Sequence, residues 1–221
     1  MSILRPQTSS ILRFVLLLFA FISAPLLVAQ SQMLELAPLF VDHAVLQRDI
    51  PSPVWGWGEP GSTVTVTFAG QTKTSKVDTQ GEWKIELDPL EASAEGSDFT
   101  VTSSKGETLI LQDLLVGEVW FSSGQSNMDW VAGKSMCRDL ANALQRSEVE
   151  VPIREYNVDI GSALFPCKRT TSADGWKSSK SAGGFSALSL AFAWELHQEL
   201  DVPIGIVRST HGATQIETWT A

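Results

Sequence analysis

The sequence predicts a small antiparallel β-sandwich module followed by an α/β domain with a parallel sheet. Between residues 39 and 112, short stretches alternate polar and apolar residues and are separated by turn residues, at a spacing of roughly 8–12 residues. From residue 113 onward, apolar stretches alternate with helical patterns, which is typical of a parallel α/β domain. Only about two strand–helix units fit before residue 221, so we expect this domain, 113–221, to be incomplete at its C-terminus.

In the module, the strand pattern recurs at 63–68, 82–87, 99–102 and 108–111. Alternation of polar and apolar residues lets one face of each strand be buried while the other meets solvent. Trp55 and Trp57 allow two interpretations. Exposed indole rings would stack on sugars, whereas buried rings would pack beneath the following strand, and the size of the apolar ring favours burial.

A strand followed by a sharp turn presents the first candidate catalytic residue. Residues 114–121 (LLVGEVWF) contain a single charge, which favours a strand buried on both faces of a parallel sheet. Gly124, which permits a tight turn, and Ser126 come directly afterwards. A side chain at the carboxyl end of such a strand faces the crevice where α/β proteins hold ligands. A helix that begins near Ser126 would direct its free N–H groups to the same place.

The strongest helix prediction in the chain covers residues 186–200. Leu188, Phe192, Leu196 and Leu200 recur four apart and form one apolar face. A shorter helix at 139–146 and strands at 151–158 and 204–207 complete the predicted α/β pattern.

Residues 1–29 have the pattern of a secretory signal peptide. Arg5 and Arg13 precede an apolar stretch at 14–22, and small residues lead to Ala29, near which we expect cleavage. The apolar stretch is shorter than the ~20 residues that span a bilayer as a helix. An uncleaved membrane anchor remains the alternative. We therefore expect an exported protein, periplasmic or extracellular, with no stable membrane span once the signal is removed.

The charge and the cysteine content restrict the possible partners. A net charge of −9 makes nucleic acid an unexpected partner, because an acidic protein repels phosphate backbones. Cys137 and Cys167 are the only two cysteines, and either a disulfide or two free thiols is compatible with the sequence. Since no His, Cys and carboxylate residues group at ligand spacing, neither a metal nor another cofactor is expected.

Residues 117–130 (GEVWFSSGQSNMDW) resemble the nucleophile block of sialate O-acetylesterases and related carbohydrate esterases of the SGNH hydrolase superfamily. Three further stretches agree with that family in order: 39–70 with its N-terminal β module, 183–207 with its helix and strand, and 208–219 with the second block of its site. The resemblance implies a flavodoxin-like parallel sheet. It also implies hydrolysis of acetyl esters on carbohydrates, with an acetylated sugar as the substrate.

The resemblance assigns roles to six residues. Ser126 would be the nucleophile, backbone N–H groups near Ser126 and Gly212 would hold the oxyanion, and Gln125 and Asn127 would support the turn. Where the family has Trp-Gly-Gly-Thr, this chain has His211, Gly212, Ala213 and Thr214. Ala213 keeps an N–H group, so an oxyanion contact survives there if the local φ is negative. His211 is either a residue beside the substrate or a surface residue.

The family's two later blocks do not occur in these 221 residues. They are a Gln-Gly-Glu oxyanion block and an Asp-x-x-His block that supplies the general base. His43 and His197 match neither, and a serine hydroxyl without a base is a weak nucleophile, so we expect the chain alone to be nearly inactive. Two other interpretations stay open: a secreted carbohydrate-binding protein without catalysis, and a fragment with no function, whose half-built sheet would have an open edge.

Overall fold

The computed structural model describes residues 33–161, 164–165 and 167–219, which belong to one compact unit. The predicted signal peptide, residues 1–29, lies outside the described residues. Within the described ranges, no helix is both long enough and apolar enough to cross a membrane.

The strands of the described residues are β1 (Glu35–Leu36), β2 (Val45–Gln47), β3 (Ser52–Trp57), β4 (Thr63–Phe68), β5 (Gln71–Lys76), β6 (Glu82–Leu87), β7 (Ser93–Ser103), β8 (Thr108–Gly124), β9 (Ile153–Asn157), β10 (Trp176–Ser178) and β11 (Ile204–Thr210). They form two sheets. One is antiparallel, in the order β1-β3-β6, and the other is mixed, in the order β10-β9-β11-β8-β7-β4-β5. The strands predicted between residues 63 and 111 and between 151 and 207 are confirmed.

β8 is a single strand of 17 residues that belongs to both halves of the mixed sheet. Its first half pairs antiparallel with β7, and its second half, residues 118–124, pairs parallel with β11. Between these two halves, residues 115–117 pair parallel with β2. The boundary predicted at 112/113 therefore falls inside a continuous strand. The strand that leads to Ser126 therefore pairs with strands from both parts of the chain.

The described residues form two hydrophobic cores. The larger contains side chains of both sheets, among them Val54 and Trp83 from the first sheet and Val66, Phe99 and Leu114 from the second. The smaller joins the parallel strands to the helices, through residues such as Ile153, Leu190 and Ile206. The expectation that residues 114–121 are buried on both faces is wrong at one end, because Trp120 is 45% and Phe121 is 68% exposed.

The helices are α1 (Ser126–Asp129), α2 (Arg138–Arg146) and α3 (Ala187–Leu200), with 3₁₀ turns at Ala132–Lys134, Ser179–Gly184 and Ile216–Trp219. α3 begins where predicted, and the Ser186 hydroxyl caps it by accepting from the Ser189 N–H. Its predicted apolar face packs on the core only through Leu196, because Leu188, Phe192 and Leu200 are exposed. Leu190 and Ala193 are buried instead. The period of four was correct for a helix, but it did not identify the side that packs.

Arg154 of β9 connects the two halves of the sheet. Its guanidinium donates to the backbone oxygens of His43 and Asp113, at 2.8 and 2.6 Å, and to the Asp113 carboxylate at 2.7 Å. The Arg154 side chain is only 4% exposed. His43 and Asp113 both have left-handed backbone conformations, with φ of 66° and 59°. Left-handed non-glycine residues are costly, so the arginine and its acceptors stabilise a strained junction.

Candidate active site

The ends of β8 and β11 lie side by side, and the candidate residues follow directly from both. The parallel register pairs Ser123 with Ser209 and Gly124 with Thr210. One residue later, the His211 N–H donates to the Gly124 carbonyl oxygen at 3.1 Å. The carboxyl ends of neighbouring parallel strands thus bring the Ser126 turn and the Gly212 loop to one edge of the sheet.

Gly124 makes the turn between β8 and the serine. Its φ is 143°, which favours glycine, and a Cβ at this position would lie 2.9 Å from Cγ of Met128. The chain then enters α1, a helical segment of only four residues that starts at Ser126. The predicted tight turn at Gly124 and helix start at Ser126 are both confirmed.

The Ser126 side chain is exposed and has one hydrogen-bond partner in the described part of the chain. Its hydroxyl donates to Oε1 of Gln125 at 2.9 Å. Gln125 therefore orients the hydroxyl directly, beyond the support of the turn that the sequence suggested. Asn127 lies on the other side of Ser126, at the edge of an apolar depression of about 540 Å³ that Trp130 and Leu188 also line.

Asp129 links the two loops and was not singled out from the sequence. Its Oδ1 accepts from the Thr210 hydroxyl at 2.9 Å. Its Oδ2 would lie 3.7 Å from a Cβ placed on Gly212. Asp129 follows Ser126 by three positions, so one helical turn brings both side chains to the same side. This spacing is the sequence signal by which Asp129 could have been found. The carboxylate fixes the Gly212 loop relative to the Ser126 turn.

The Gly212 loop contains a left-handed residue at Ala213, with φ of 63°. An oxyanion contact of the Ala213 N–H required a negative φ, and this condition is not met. The loop is held by a chain of hydrogen bonds: Trp219 Nε1 donates to the Thr214 hydroxyl at 2.7 Å, and this hydroxyl donates to the His211 carbonyl at 2.8 Å.

His211 is exposed and lines a cavity of about 620 Å³ at the carboxyl ends of β9 and β11. Asp159, Arg169 and Trp219 line the same cavity. The cavity includes Thr210, so it adjoins the Ser126 turn on the side of the Gly212 loop. Its mixture of an aromatic ring, hydroxyls and charges suits a hydroxyl-rich ligand.

The other two histidines lie far from Ser126. His43 Nδ1 is 2.7 Å from the Asp113 carboxylate, a partner that the sequence did not reveal. Asp113 is 11 residues before Gly124 on β8, a separation of roughly 35 Å at about 3.3 Å per residue. His197 bonds to the Val202 carbonyl oxygen at 2.8 Å, near the C-terminal end of α3. Both imidazoles have structural partners away from Ser126.

A buried charged pair lies beneath the carboxyl ends of the strands. Glu155 of β9 is 3% exposed, and its Oε1 is 3.5 Å from Nε of Arg208 on β11. The Ser186 N–H, at the start of α3, donates to the other carboxylate oxygen at 3.0 Å. Burial raises the pKa of Glu155 from 4.5 to about 7, although Arg208 and the Ser186 N–H lower it. Nη1 of Arg208 is buried and has no partner among the described atoms.

The structure decides one point that the sequence left open, the state of the two cysteines. Cys137 and Cys167 are both free, and the Cys137 thiol donates to the Ala187 carbonyl oxygen at 3.4 Å. Among the described residues, no group of three or more His, Cys, Asp or Glu side chains has the arrangement of a metal site.

Neither Trp55 nor Trp57 is an exposed side chain. Trp57 is 6% exposed, and the Arg169 guanidinium lies 3.9 Å from the centre of its ring. Trp55 is partly buried and makes an edge contact with Phe40 at 5.0 Å between ring centres. The burial favoured from the sequence is confirmed for Trp57.

The comparisons with known proteins agree on one group of enzymes. The chain is 30% identical over 203 residues to the sialate O-acetylesterase of Mus musculus, covering 82% of this chain and 37% of that protein. It is 32% identical over 200 residues to the sialate O-acetylesterase of Homo sapiens, covering 80% of this chain and 37% of that protein. The chain thus spans a little over a third of the length of these curated relatives. No protein-family model matches the chain.

A solved structure supports the same relationship. A carbohydrate acetylesterase from Xanthomonas citri superposes with a TM-score of 0.77 at 37% identity, covering 85% of this chain and 43% of that one. This match and the mixed sheet with flanking helices agree with an α/β hydrolase-like fold.

Proposed function

Since the chain belongs to the sialate O-acetylesterase and carbohydrate acetylesterase family, we propose that it carries the nucleophile side of a serine carbohydrate O-acetylesterase site of the SGNH type. The observation that carries the proposal is the pairing of Gly124 with Thr210, which sets the Ser126 turn beside the Gly212 loop. A nucleophile on one strand end and an oxyanion donor on the next need this adjacency.

The reaction follows from the exposed hydroxyl of Ser126. Its Oγ attacks the carbonyl carbon of the acetyl ester and loses its proton to a base, giving a tetrahedral intermediate. When the bond to the sugar oxygen breaks, the sugar alcohol leaves with that proton and the acetyl group stays on Ser126. A water molecule then attacks the acetyl group and releases acetate, which restores the serine.

Backbone N–H groups stabilise the oxyanion in this proposal. The donors are the N–H of Ser126, at the first residue of α1, and the N–H of Gly212. Such donors are typically worth about 2.7–4 kcal/mol each in the transition state. Asp129 holds the two segments at a fixed separation through Thr210. Ala213 is left out as a donor because its φ is positive.

The general base is the part of the site that these residues do not provide. In the described part of the chain, Gln125 is the only side chain bonded to the Ser126 hydroxyl, and an amide oxygen is not basic. The resemblance to the family implies a histidine from an Asp-x-x-His block, which these 221 residues do not contain. We therefore expect very low activity from the chain alone, because the triad acts as a unit.

The test measures hydrolysis of p-nitrophenyl acetate and of an O-acetylated sugar. The proteins compared are the wild-type chain, Ser126→Ala, and the chain joined to the part of the Xanthomonas citri acetylesterase that lies outside the matched region. We expect turnover only in the joined wild-type protein. If the chain alone turns over ester and His211→Ala abolishes that activity, His211 is the base. If Ser126→Ala leaves joined turnover intact, the proposal is wrong.

The sequence pattern of residues 1–29 supports a further part of the proposal, that the protein is exported to the periplasm or beyond. Mass spectrometry of the mature protein tests this, and we expect a new N-terminus close to residue 30. An intact residue 1 on exported protein would support the membrane anchor instead.

A further inference from the structure

The residues between β9 and β10, 158–175, form part of the cavity that contains His211, and we call them the cavity segment. The structure describes it at 158–161, 164–165 and 167–175. The other residues that line the cavity belong to β11 and to the chain that follows it. At the base of the cavity segment, the Asp159 N–H donates to the Thr171 carbonyl oxygen at 2.8 Å. We call residues 160–169, which lie beyond this closure, the tip.

Lys168 and Arg169 attach the tip to the β module. Nη1 of Arg169 donates to both carboxylate oxygens of Glu35, at 2.9 and 2.8 Å, and the guanidinium lies 3.9 Å from the centre of the Trp57 ring. The Lys168 ammonium donates to Oε1 of Glu82 at 2.6 Å. In the described part of the tip, only these two side chains form hydrogen bonds or ion pairs with the rest of the protein. A carboxylate contact combined with stacking on an aromatic face suits a guanidinium better than an ammonium group.

The three partners of the tip form one row across the antiparallel sheet of the module. Trp57 pairs in register with Glu35 on β1 and with Glu82 on β6, so the three side chains share a face of the sheet. Val54, three positions earlier on the same strand, points to the other face and is fully buried. Trp57 is only 6% exposed, and Arg169 lies over its ring. The row is therefore covered by the tip.

We propose that this row, Glu35, Trp57 and Glu82, holds the tip in place, and that Arg169 is thereby a positioning residue for the part of the site that binds the sugar. The inference rests on the proposed function. Arg169 lines the same cavity as Thr210, which adjoins the Ser126 turn. The β module would then act on the substrate by fixing one wall of this cavity, and its own tryptophan rings would not stack on the sugar.

The clamp between the tip and the row should affect sugar binding and leave the chemistry at Ser126 unchanged. If the tip is in place for only a fraction of the time, the apparent affinity for the sugar falls by that fraction. The acetyl group and the oxyanion lie at the ends of β8 and β11, outside the clamp. A weakened clamp therefore raises the KM for a sugar ester without lowering kcat.

The first test measures amide hydrogen exchange in the chain itself. We expect the Asp159 amide to exchange about 3-fold faster in Glu35→Gln and about 10-fold faster in Arg169→Ala, because the cavity segment opens more often when the Arg169 contacts are lost. Glu59→Gln is the matched control, since Glu59 is similarly exposed and pairs with Lys105 at 2.7 Å on the same module. It should leave the Asp159 rate unchanged. The amides of β4 should stay protected in every variant, which shows that each variant is folded.

The second test uses the chain joined to the unmatched part of the Xanthomonas citri acetylesterase. Its probes are an acetylated methyl glucoside and p-nitrophenyl acetate, which carries no sugar. We expect Glu35→Gln to raise KM for the glucoside about 3-fold at unchanged kcat, and to leave both constants for p-nitrophenyl acetate unchanged. Glu59→Gln should change neither substrate. In a Ser126→Ala background, calorimetry should show the Kd of the glucoside raised by Glu35→Gln by the same factor.

Two results would overturn the proposal. One is an Asp159 exchange rate that is equal in wild type, Glu35→Gln and Arg169→Ala. The other is a glucoside KM and Kd that Glu35→Gln does not change, or that Glu59→Gln changes as much. The calorimetric Kd is independent of turnover, so it separates this inference from the esterase assignment. A raised Kd without turnover in any joined protein supports the clamp and removes the assignment, whereas turnover with unchanged KM and Kd does the reverse.

Discussion

Replacement of Glu155 by glutamine should change how the stability of the protein depends on pH. In the folded protein the pKa of Glu155 is raised from 4.5 to about 7, chiefly by burial. The folded state therefore holds the proton more tightly than the unfolded state does. The contribution of Glu155 to stability is fully present below pH 4.5 and is lost as pH rises to about 7. At about 1.4 kcal/mol per pH unit, the loss approaches 3 kcal/mol by pH 8.

Glutamine imitates the neutral carboxyl group and keeps an oxygen for the Ser186 N–H. We therefore expect Glu155→Gln to gain about 3 kcal/mol in the free energy of unfolding relative to wild type between pH 4.5 and pH 8. Urea unfolding followed by tryptophan fluorescence measures this at both pH values. Glu86→Gln, an exposed glutamate on β6, is the control and should show no such gain. A stability difference between Glu155→Gln and wild type that is equal at both pH values would refute the argument.

Two other substitutions test the strained positions of the backbone. Ala213→Gly should raise the free energy of unfolding by about 0.5–1 kcal/mol, because the relief of the left-handed φ, roughly 1–2 kcal/mol, exceeds the additional backbone entropy that glycine loses on folding. Ala173→Gly, at an exposed alanine without positive φ, should not raise it. Arg154→Met should lower the free energy of unfolding by about 2 kcal/mol or more, because the carbonyl and carboxylate oxygens at the His43–Asp113 junction lose a charged donor. Arg138→Met, which removes a 66% exposed arginine, should change stability by less than about 1 kcal/mol, and an equal loss in both variants would contradict the role of Arg154.

The sequence was most informative where a local pattern decides the structure. Strict alternation predicted β4 and β6 with their correct faces, since a period of two leaves no choice of side once one face is buried. The tight turn at Gly124 was also predictable, because glycine is the residue that adopts a positive φ readily and it follows an apolar strand here. The packing face predicted for α3 was correct only at Leu196, because this helix has apolar residues around much of its circumference. Its period alone does not tell which side packs.

Long-range contacts were beyond the reach of the sequence. Asp129 and Thr210 are 81 residues apart, and Arg154 and the His43 carbonyl are 111 apart. Neither pair has a local signature, because each depends on the register of β8 and β11 and on the course of β2. The exposure of Phe121 was missed for a related reason: an apolar strand looks the same in sequence whether its second edge is paired or open.

The length of β8 also has a kinetic consequence. Leu115 pairs with Val45, 70 positions earlier, and Glu118 pairs with Ile204, 86 positions later. Contacts so distant in sequence close large loops before they contribute stability, which is typical of slow folding. A chain emerging from synthesis can therefore complete the pairing of β8 with β7 long before β11 exists. During that interval the turn that holds Ser126 lacks its neighbour in β11, so Ser126 is positioned late, although the N-terminal half of the same strand is already paired with β7.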